Sequence, residues 1–166
     1  IVTGENPAKA GVPYIAKALD RAKKYFSNLK IEVMPLDVEG YKELIRHGLN
    51  GVICFQETYN RAHYNIYHPR GMKANFDWRC NGFDRMGQAG VHSIGMGVLI
   101  GLEKDWRTDI TMMAFRHANL RSRRGYLLFH TRAGQYQRQY GNSRSHDHEC
   151  GKQDGTRRIP HISSGT

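Results

Sequence analysis

The 166-residue sequence has few cysteines, no long apolar run and a shortage of acidic side chains. The three cysteines, Cys54, Cys80 and Cys150, are odd in number and widely spaced. They outline neither a disulfide framework nor a CxxC-type metal site, and a reducing cytoplasm is the expected location. No apolar stretch approaches the roughly 18 residues that a membrane-spanning helix needs, so no membrane partner is expected. The opening residues Ile1-Val2-Thr3-Gly4-Glu5 include no initiator methionine and no basic segment ahead of an apolar one. They read as a start within a longer sequence rather than as a signal peptide. At 166 residues the chain can bury a core, yet it is shorter than the roughly 250 residues of a complete (β/α)8 barrel.

The acidic shortage is uneven. Lysine and arginine number 25 against 15 aspartates and glutamates, a net charge of +10. Residues 1–116 carry 16 basic and 12 acidic side chains, whereas residues 117–166 carry 9 and 3. The excess gathers in the last third without interleaved aromatic stacking positions or a nucleic-acid-binding motif, so no nucleic-acid partner is expected.

Up to about residue 116 the chain alternates helix-like and strand-like segments, the pattern of a parallel α/β fold. Ile1-Val2-Thr3 reads as a strand end. Pro13 then opens a helix whose apolar positions Ile15, Ala18, Leu19, Ala22 and Phe26 recur at helical spacing. Lys30 to Leu36 reads as a short buried strand. Asp37 is an N-cap for a second helix, with Tyr41, Leu44 and Ile45 on one face and Gly48 just past its end. Val52 to Phe55 is the next strand, followed by a long loop. A helix is expected over Asp77 to Ala89, a strand over Ile94 to Leu99, and a last helix from Asp105 to about Ala118. The junction Gly48-Leu49-Asn50-Gly51-Val52 recurs 42 residues later as Gly90-Val91-His92-Ser93-Ile94. Repeated βα units of this length suit a barrel or a doubly wound sheet. Beyond Arg116 only Leu127-Leu128-Phe129 is strand-like, and the polar residues after it read as a disordered or non-native tail.

Parallel α/β folds keep their chemistry at the C-terminal ends of strands, and three strand ends here are unusual. In Thr3-Gly4-Glu5 the glycine lets a ligand approach the backbone and the carboxylate can accept from an ammonium group. Gln56-Glu57-Thr58-Tyr59-Asn60 places five hydrogen-bonding side chains in a row after a buried strand. Gly95-Met96-Gly97-Val98-Leu99-Ile100-Gly101 is an apolar strand thinned by glycines, through close approach of a flat ligand or through tight packing. A basic loop, Tyr67-His68-Pro69-Arg70-Gly71-Met72-Lys73, and the arginines Arg79 and Arg85 lie between. His47, His63 and His92 have no metal-ligand spacing. The sequence holds no Ser-His-Asp set, phosphate loop or HExxH.

Taken in order, VTGE, IEVMPL, GLNGVICFQETYN, YHPRGMK, FDWR, DRMGQAG and IGMGVLIGLEKDWRTD resemble the middle of the 2-iminoacetate synthase family over about residues 1–116. The resemblance implies a partial (β/α)8 radical S-adenosylmethionine (SAM) barrel spanning residues 1–118, followed by a basic polar tail over 119–166. It implies SAM and a 4Fe-4S cluster as cofactors, with reductive cleavage of SAM giving a 5′-deoxyadenosyl radical. It implies tyrosine as substrate, cleaved between Cα and Cβ to 2-iminoacetate and p-cresol, and a thiazole synthase as partner. Thr3, Gly4 and Glu5 match the turn that holds the SAM ammonium group, and Glu57, Thr58, Tyr59 and Asn60 match the loop near its ribose. Arg85 matches an arginine aimed at the SAM carboxylate, and Val98, Leu99 and Ile100 would lie against adenine. Gln56 and His68 are the expected catalytic groups, His68 handling the phenol proton near neutral pH. Glu32 and Arg79 are expected on the substrate side.

Two departures go with the resemblance. The family's cluster-binding CxxxCxxC would precede Ile1, so no metal ligand is expected in this chain and the chain as it stands is expected to be inactive. The family's next strand, similar to Ile-Ser-Phe-Pro-Arg, is replaced by Leu128-Phe129-His130-Thr131-Arg132. Codons can be chosen for this pentapeptide that give Ile-Ser-Tyr-Pro-Arg in another frame, so residues after about Ala118 are read as a frameshifted or disordered segment. The tyrosine-cleaving hydrogenase maturases share several of the same motifs and are the near alternative. A non-catalytic α/β binding module is the alternative from another class.

Overall fold

The computed structural model describes residues 1–120 and the backbone of residues 124–131. Residues 121–123 and 132–166, with Cys150 and most of the basic tail, lie outside the described residues.

Four strands form one sheet: β1 (Leu29–Glu32), β2 (Leu49–Glu57), β3 (Ser93–Ile100) and β4 (Arg124–Thr131). Every neighbouring pair is parallel and the spatial order is the chain order. Ile1–Thr3 adds a strand-like edge, with Thr3 N–H donating to Glu32 at 3.1 Å and Glu32 N–H to Ile1 at 2.9 Å. A doubly wound sheet reverses its order at a switch point, whereas this sheet advances in one direction as a barrel wall does. Among the described residues the architecture is therefore a partial (β/α)8 barrel.

The helices are α1 (Val12–Ala22), α2 (Val38–Arg46), α3 (Arg61–Tyr67), α4 (Phe76–Cys80), α5 (Gly82–Ala89) and α6 (Trp106–Ala118). Alternate strand residues Ile31, Val52, Cys54, Ile94 and Met96 are buried with Ile15 and Leu19 of α1, Tyr41 and Leu44 of α2, and Phe83 and Met86 of α5. Each such side chain contributes roughly 1.5–3 kcal/mol by leaving water. The other set, including Glu32, Ile53, Phe55 and Glu57, faces a cleft over the sheet. This two-sided division is what puts polar side chains at the strand ends.

Asp37 caps α2 through a 2.6 Å bond from Gly40 N–H, and Asp105 caps α6. The two recurring junctions are equivalent: Gly48 and Gly90 both adopt positive φ, 98° and 85°, and Gly51 pairs with Ser93 across the sheet.

Several expected boundaries move. Helix α1 ends at Ala22, leaving Phe26 exposed beyond it. Strand β1 stops at Glu32, and Val33–Leu36 continue as a buried loop. The expected long loop contains α3, capped by Asn60, and a short 3-10 turn at Met72–Ala74. The helix expected over Asp77–Ala89 breaks at Asn81, where a Cβ on Gly82 would meet Pro35 at 3.2 Å. Among the described residues no helix is long and apolar enough to cross a membrane.

Candidate active site

The cleft lies at the C-terminal ends of the strands and has a volume of about 100 Å³. Its lining includes Thr3, Glu5, Glu32, Glu57, Lys73 and Arg79, with Phe55 and Ile53 beneath them. Sequence reasoning named five of these six polar residues; it placed Lys73 in a basic loop without a role. Small-molecule sites commonly measure ~300–1,000 Å³, so this cleft suits the polar end of a ligand whose remainder spreads over the sheet.

Arg79 is the best-anchored of these groups. Only 5% exposed, it donates through Nε to the Phe55 carbonyl at 2.7 Å and through Nη1 to Glu5 Oε1 at 2.7 Å. The second Glu5 oxygen, Oε2, is buried and accepts no hydrogen bond from the described residues. Thr3 Oγ1, Tyr64 Oη and His68 Nε2 are also buried without partners among the described residues. Buried polar atoms in folded proteins are nearly always paired, so the two on the cleft wall, Glu5 Oε2 and Thr3 Oγ1, fit a bound polar molecule or ordered water.

Glu57 terminates β2 with φ of 73°, a left-handed conformation that costs a side-chain-bearing residue about 1–3 kcal/mol. Glu57 shares a face of β2 with Ile53 and Phe55, so its carboxylate lies in the cleft, where Lys73 pairs with it, and a register shift lies beside it between Phe55 and Glu57.

Gln56, expected to face the same cavity, does not line it. It alternates with Phe55 and Glu57, is fully buried, and neither amide atom has a partner among the described residues. Thr58, Tyr59 and Asn60 do not line the cleft either. The Thr58 hydroxyl donates to Asp109 Oδ1 at 2.9 Å, Tyr59 N–H donates to the same oxygen at 2.7 Å, and Asn60 caps α3. Burial pushes the Asp109 carboxyl above the usual carboxylate range, while the two donors act against that. Asp109 was not among the sequence expectations, because a single acidic residue within a helix carries no local signal of a partner 50 residues away.

His68 packs edge-on to Tyr64, with ring centroids 4.6 Å apart. Burial first, then the Lys73 charge, push its pKa down to about 4. This runs against the expectation of an imidazole titrating near neutral pH, since burial favours the neutral form of His68.

Arg85 does not line the cleft. Its guanidinium stacks 3.7 Å above the Trp78 ring and donates to the carbonyls of Leu36 at 2.8 Å and Trp78 at 2.6 Å. Gly4 is exposed at the rim. Val98 and Leu99 are buried at the end of β3 with Ile100 beyond them, and none of the three lines the cleft. The two readings of the thinned strand resolve at Gly97, where an added Cβ would fall 2.7 Å from Phe55 Cγ and closer still to Cδ1 and Cε1. Here the flat group lying against the strand is the protein's own phenyl ring.

Among the described residues no three His, Cys, Asp or Glu side chains gather as metal ligands, and Cys54 and Cys80 are buried free thiols.

Comparison with known proteins gives the same picture. No family model matches the chain. The 2-iminoacetate synthases of Salmonella typhimurium and Escherichia coli K12 are each 46% identical to it over 114 residues, 69% of this chain. The chain spans 30% of the length of these relatives. Among solved structures, HydG, a maturase of the FeFe-hydrogenase, superposes with a TM-score of 0.71 at 24% identity, covering 78% of this chain and 32% of HydG. HydG from Carboxydothermus hydrogenoformans gives 0.68 at 25% identity, covering 76% of this chain and 31% of that one. Methylornithine synthase gives 0.57 at 19%, over 78% and 38%, a likeness of fold alone. With the all-parallel sequential sheet, the polar cleft at its strand ends and the 46% identity in hand, the chain is similar to a segment of the 2-iminoacetate synthases and has the fold of part of a (β/α)8 barrel.

Proposed function

We propose that this segment supplies the cofactor-binding and part of the substrate-facing wall of a radical SAM lyase that cleaves tyrosine to 2-iminoacetate and p-cresol. The observation that carries the reading is the identity of 46% over 114 residues to enzymes named for that product, against 24–25% to the hydrogenase maturases. The cleft is chemically suited to such a cofactor. The Glu5 carboxylate offers an unshared oxygen to an ammonium group, with Thr3 Oγ1 beside it.

When bound, SAM and a 4Fe-4S cluster held by the rest of the enzyme supply the one-electron chemistry that starts cleavage. This chain's residues bind and orient. Glu32 leaves a carboxylate on the cleft wall for a substrate ammonium group, and Lys73 neutralises Glu57 so that two carboxylates need not face each other. Neutral His68, with Nε2 unpaired, serves as a hydrogen-bonding group toward substrate rather than as a base. A thiazole synthase is the proposed partner, as consumer of 2-iminoacetate.

Calorimetric titration of the 166-residue chain with SAM, up to millimolar ligand, tests the cofactor part. Saturable one-to-one binding that weakens in Glu5→Gln is expected. Absence of binding, or binding indifferent to Glu5, would contradict it.

A further inference from the structure

We infer that Arg79 is a positioning residue that fixes the ammonium-binding geometry of Glu5; the inference rests on the proposed SAM site. The two residues are 74 positions apart, on the first strand-like edge and on α4. A carboxylate on the exposed turn after Thr3 would ordinarily sample several rotamers. Arg79 removes that freedom because it is itself held twice, by the Phe55 carbonyl at the end of β2 and by Glu5 Oε1, both at 2.7 Å. Its side chain is 6% exposed, against 23% for Glu5, so the arginine is the fixed member of the pair.

The geometry divides the labour between the two carboxylate oxygens. Oε1 accepts from the guanidinium, whereas Oε2 is buried, has no partner among the described residues and is part of the same cleft wall as Thr3. A rigid acceptor with one committed and one vacant oxygen selects a compact donor approaching from the cleft, and a primary ammonium group meets that need. Arginine is required because one side chain must reach two acceptors in different directions; a lysine ammonium at the end of a flexible stem cannot hold both in a fixed plane. Arg79 thus acts on the ligand through Glu5.

Two ligands separate this role from general support of the fold: SAM, which carries the ammonium group, and 5′-methylthioadenosine, which keeps the adenosine and sulfur but lacks the amino acid moiety. Both are titrated into the full 166-residue chain as wild type, Arg79→Lys, Glu5→Gln and the double variant. Arg79→Lys should weaken SAM by about tenfold, the worth of one hydrogen bond to a charged group, and leave methylthioadenosine within about twofold. The double variant should bind SAM no worse than Glu5→Gln alone, since the clamp has nothing left to position. Equal weakening of both ligands by Arg79→Lys, or additive losses in the double variant, would overturn the positioning role. Should Arg79→Lys fail to fold, the same cycle is run with Arg79→Gln in its place, alone and combined with Glu5→Gln. A wild-type chain that binds methylthioadenosine but shows no preference for SAM would remove the ammonium site, and with it this inference, while one that binds neither would sink the cofactor reading beneath it.

Discussion

Gly97 and Phe55 offer a direct test of how the cleft floor is built. Replacing Gly97 with alanine places a methyl group 2.7 Å from Phe55 Cγ and nearer still to two other ring atoms, well inside van der Waals contact. The ring is flanked by the paired strand backbone, with Phe55 registered against Gly97, so it can yield only by swinging into the cleft. Overpacking of this kind costs about 1–3 kcal/mol, and alanine returns about 0.4–1 kcal/mol by restricting the unfolded chain. A net loss of about 1–2 kcal/mol is expected, which at a urea slope of ~2 kcal/mol/M moves the unfolding midpoint down by roughly 0.5–1 M. The same substitution made in a Phe55→Ala background meets no ring and should cost nothing, or stabilise slightly, even though Phe55→Ala is itself destabilising. The measurement is the midpoint of urea unfolding for wild type, both single variants and the double variant. If Gly97→Ala costs as much without the phenyl ring as with it, the strand is thin for another reason and the packing argument fails.

Asp109→Ala should cost about 2–4 kcal/mol by urea unfolding, because it strips the acceptor from a buried hydroxyl and a loop amide, whereas Asp109→Asn, which keeps an acceptor and removes a buried charge, should cost about 1 kcal/mol. His68 has a folded-state pKa of about 4 against an ordinary 6.5, so it favours the fold while neutral and its contribution falls away as pH drops from about 6.5 through 4. His68→Gln should flatten the urea midpoint across that window, and an unchanged slope would show that the imidazole is not buried as described. On α6, Met112 and Phe115 are 41% and 65% exposed, so the chain should associate as concentration rises; Phe115→Glu should shift sedimentation toward monomer without changing the circular dichroism spectrum.

The fold was readable where local signals were strong and repeated. Asp37, Gly48, Gly90 and Asp105 marked helix ends because caps and left-handed turns depend on the residue itself. Helix α3 was not readable: seven residues with one buried side chain, Tyr64, give no periodic signal. The break at Asn81 sets Gly82 against Pro35, distant in sequence, where an added Cβ would fall 3.2 Å from the ring's Cβ, a contact that no local pattern reveals. Composition set residues 119–166 apart, yet the backbone of Arg124–Thr131 pairs in register with β3, since main-chain hydrogen bonding does not depend on side-chain character. In the cleft, the strand-end rule found Thr3, Glu5 and Glu57 because position along a parallel strand is a sequence property, whereas Glu32 and Arg79 came from the family resemblance. It did not separate Gln56 from its neighbours, although period-two alternation along β2 puts Gln56 on the face opposite Phe55 and Glu57. Nor could it find the Lys73 and Asp109 partners, which tertiary structure alone brings near.

The proposed activity is tested most directly by exchange. Residues 1–116 of this chain would replace the matching segment of the Escherichia coli 2-iminoacetate synthase, leaving the remainder of that enzyme intact. The reconstituted chimera would then be incubated anaerobically with SAM, a reductant and tyrosine. Formation of p-cresol, together with glyoxylate from hydrolysis of 2-iminoacetate, is the result expected of a tyrosine lyase segment. A folded chimera that binds SAM yet releases no p-cresol would contradict it.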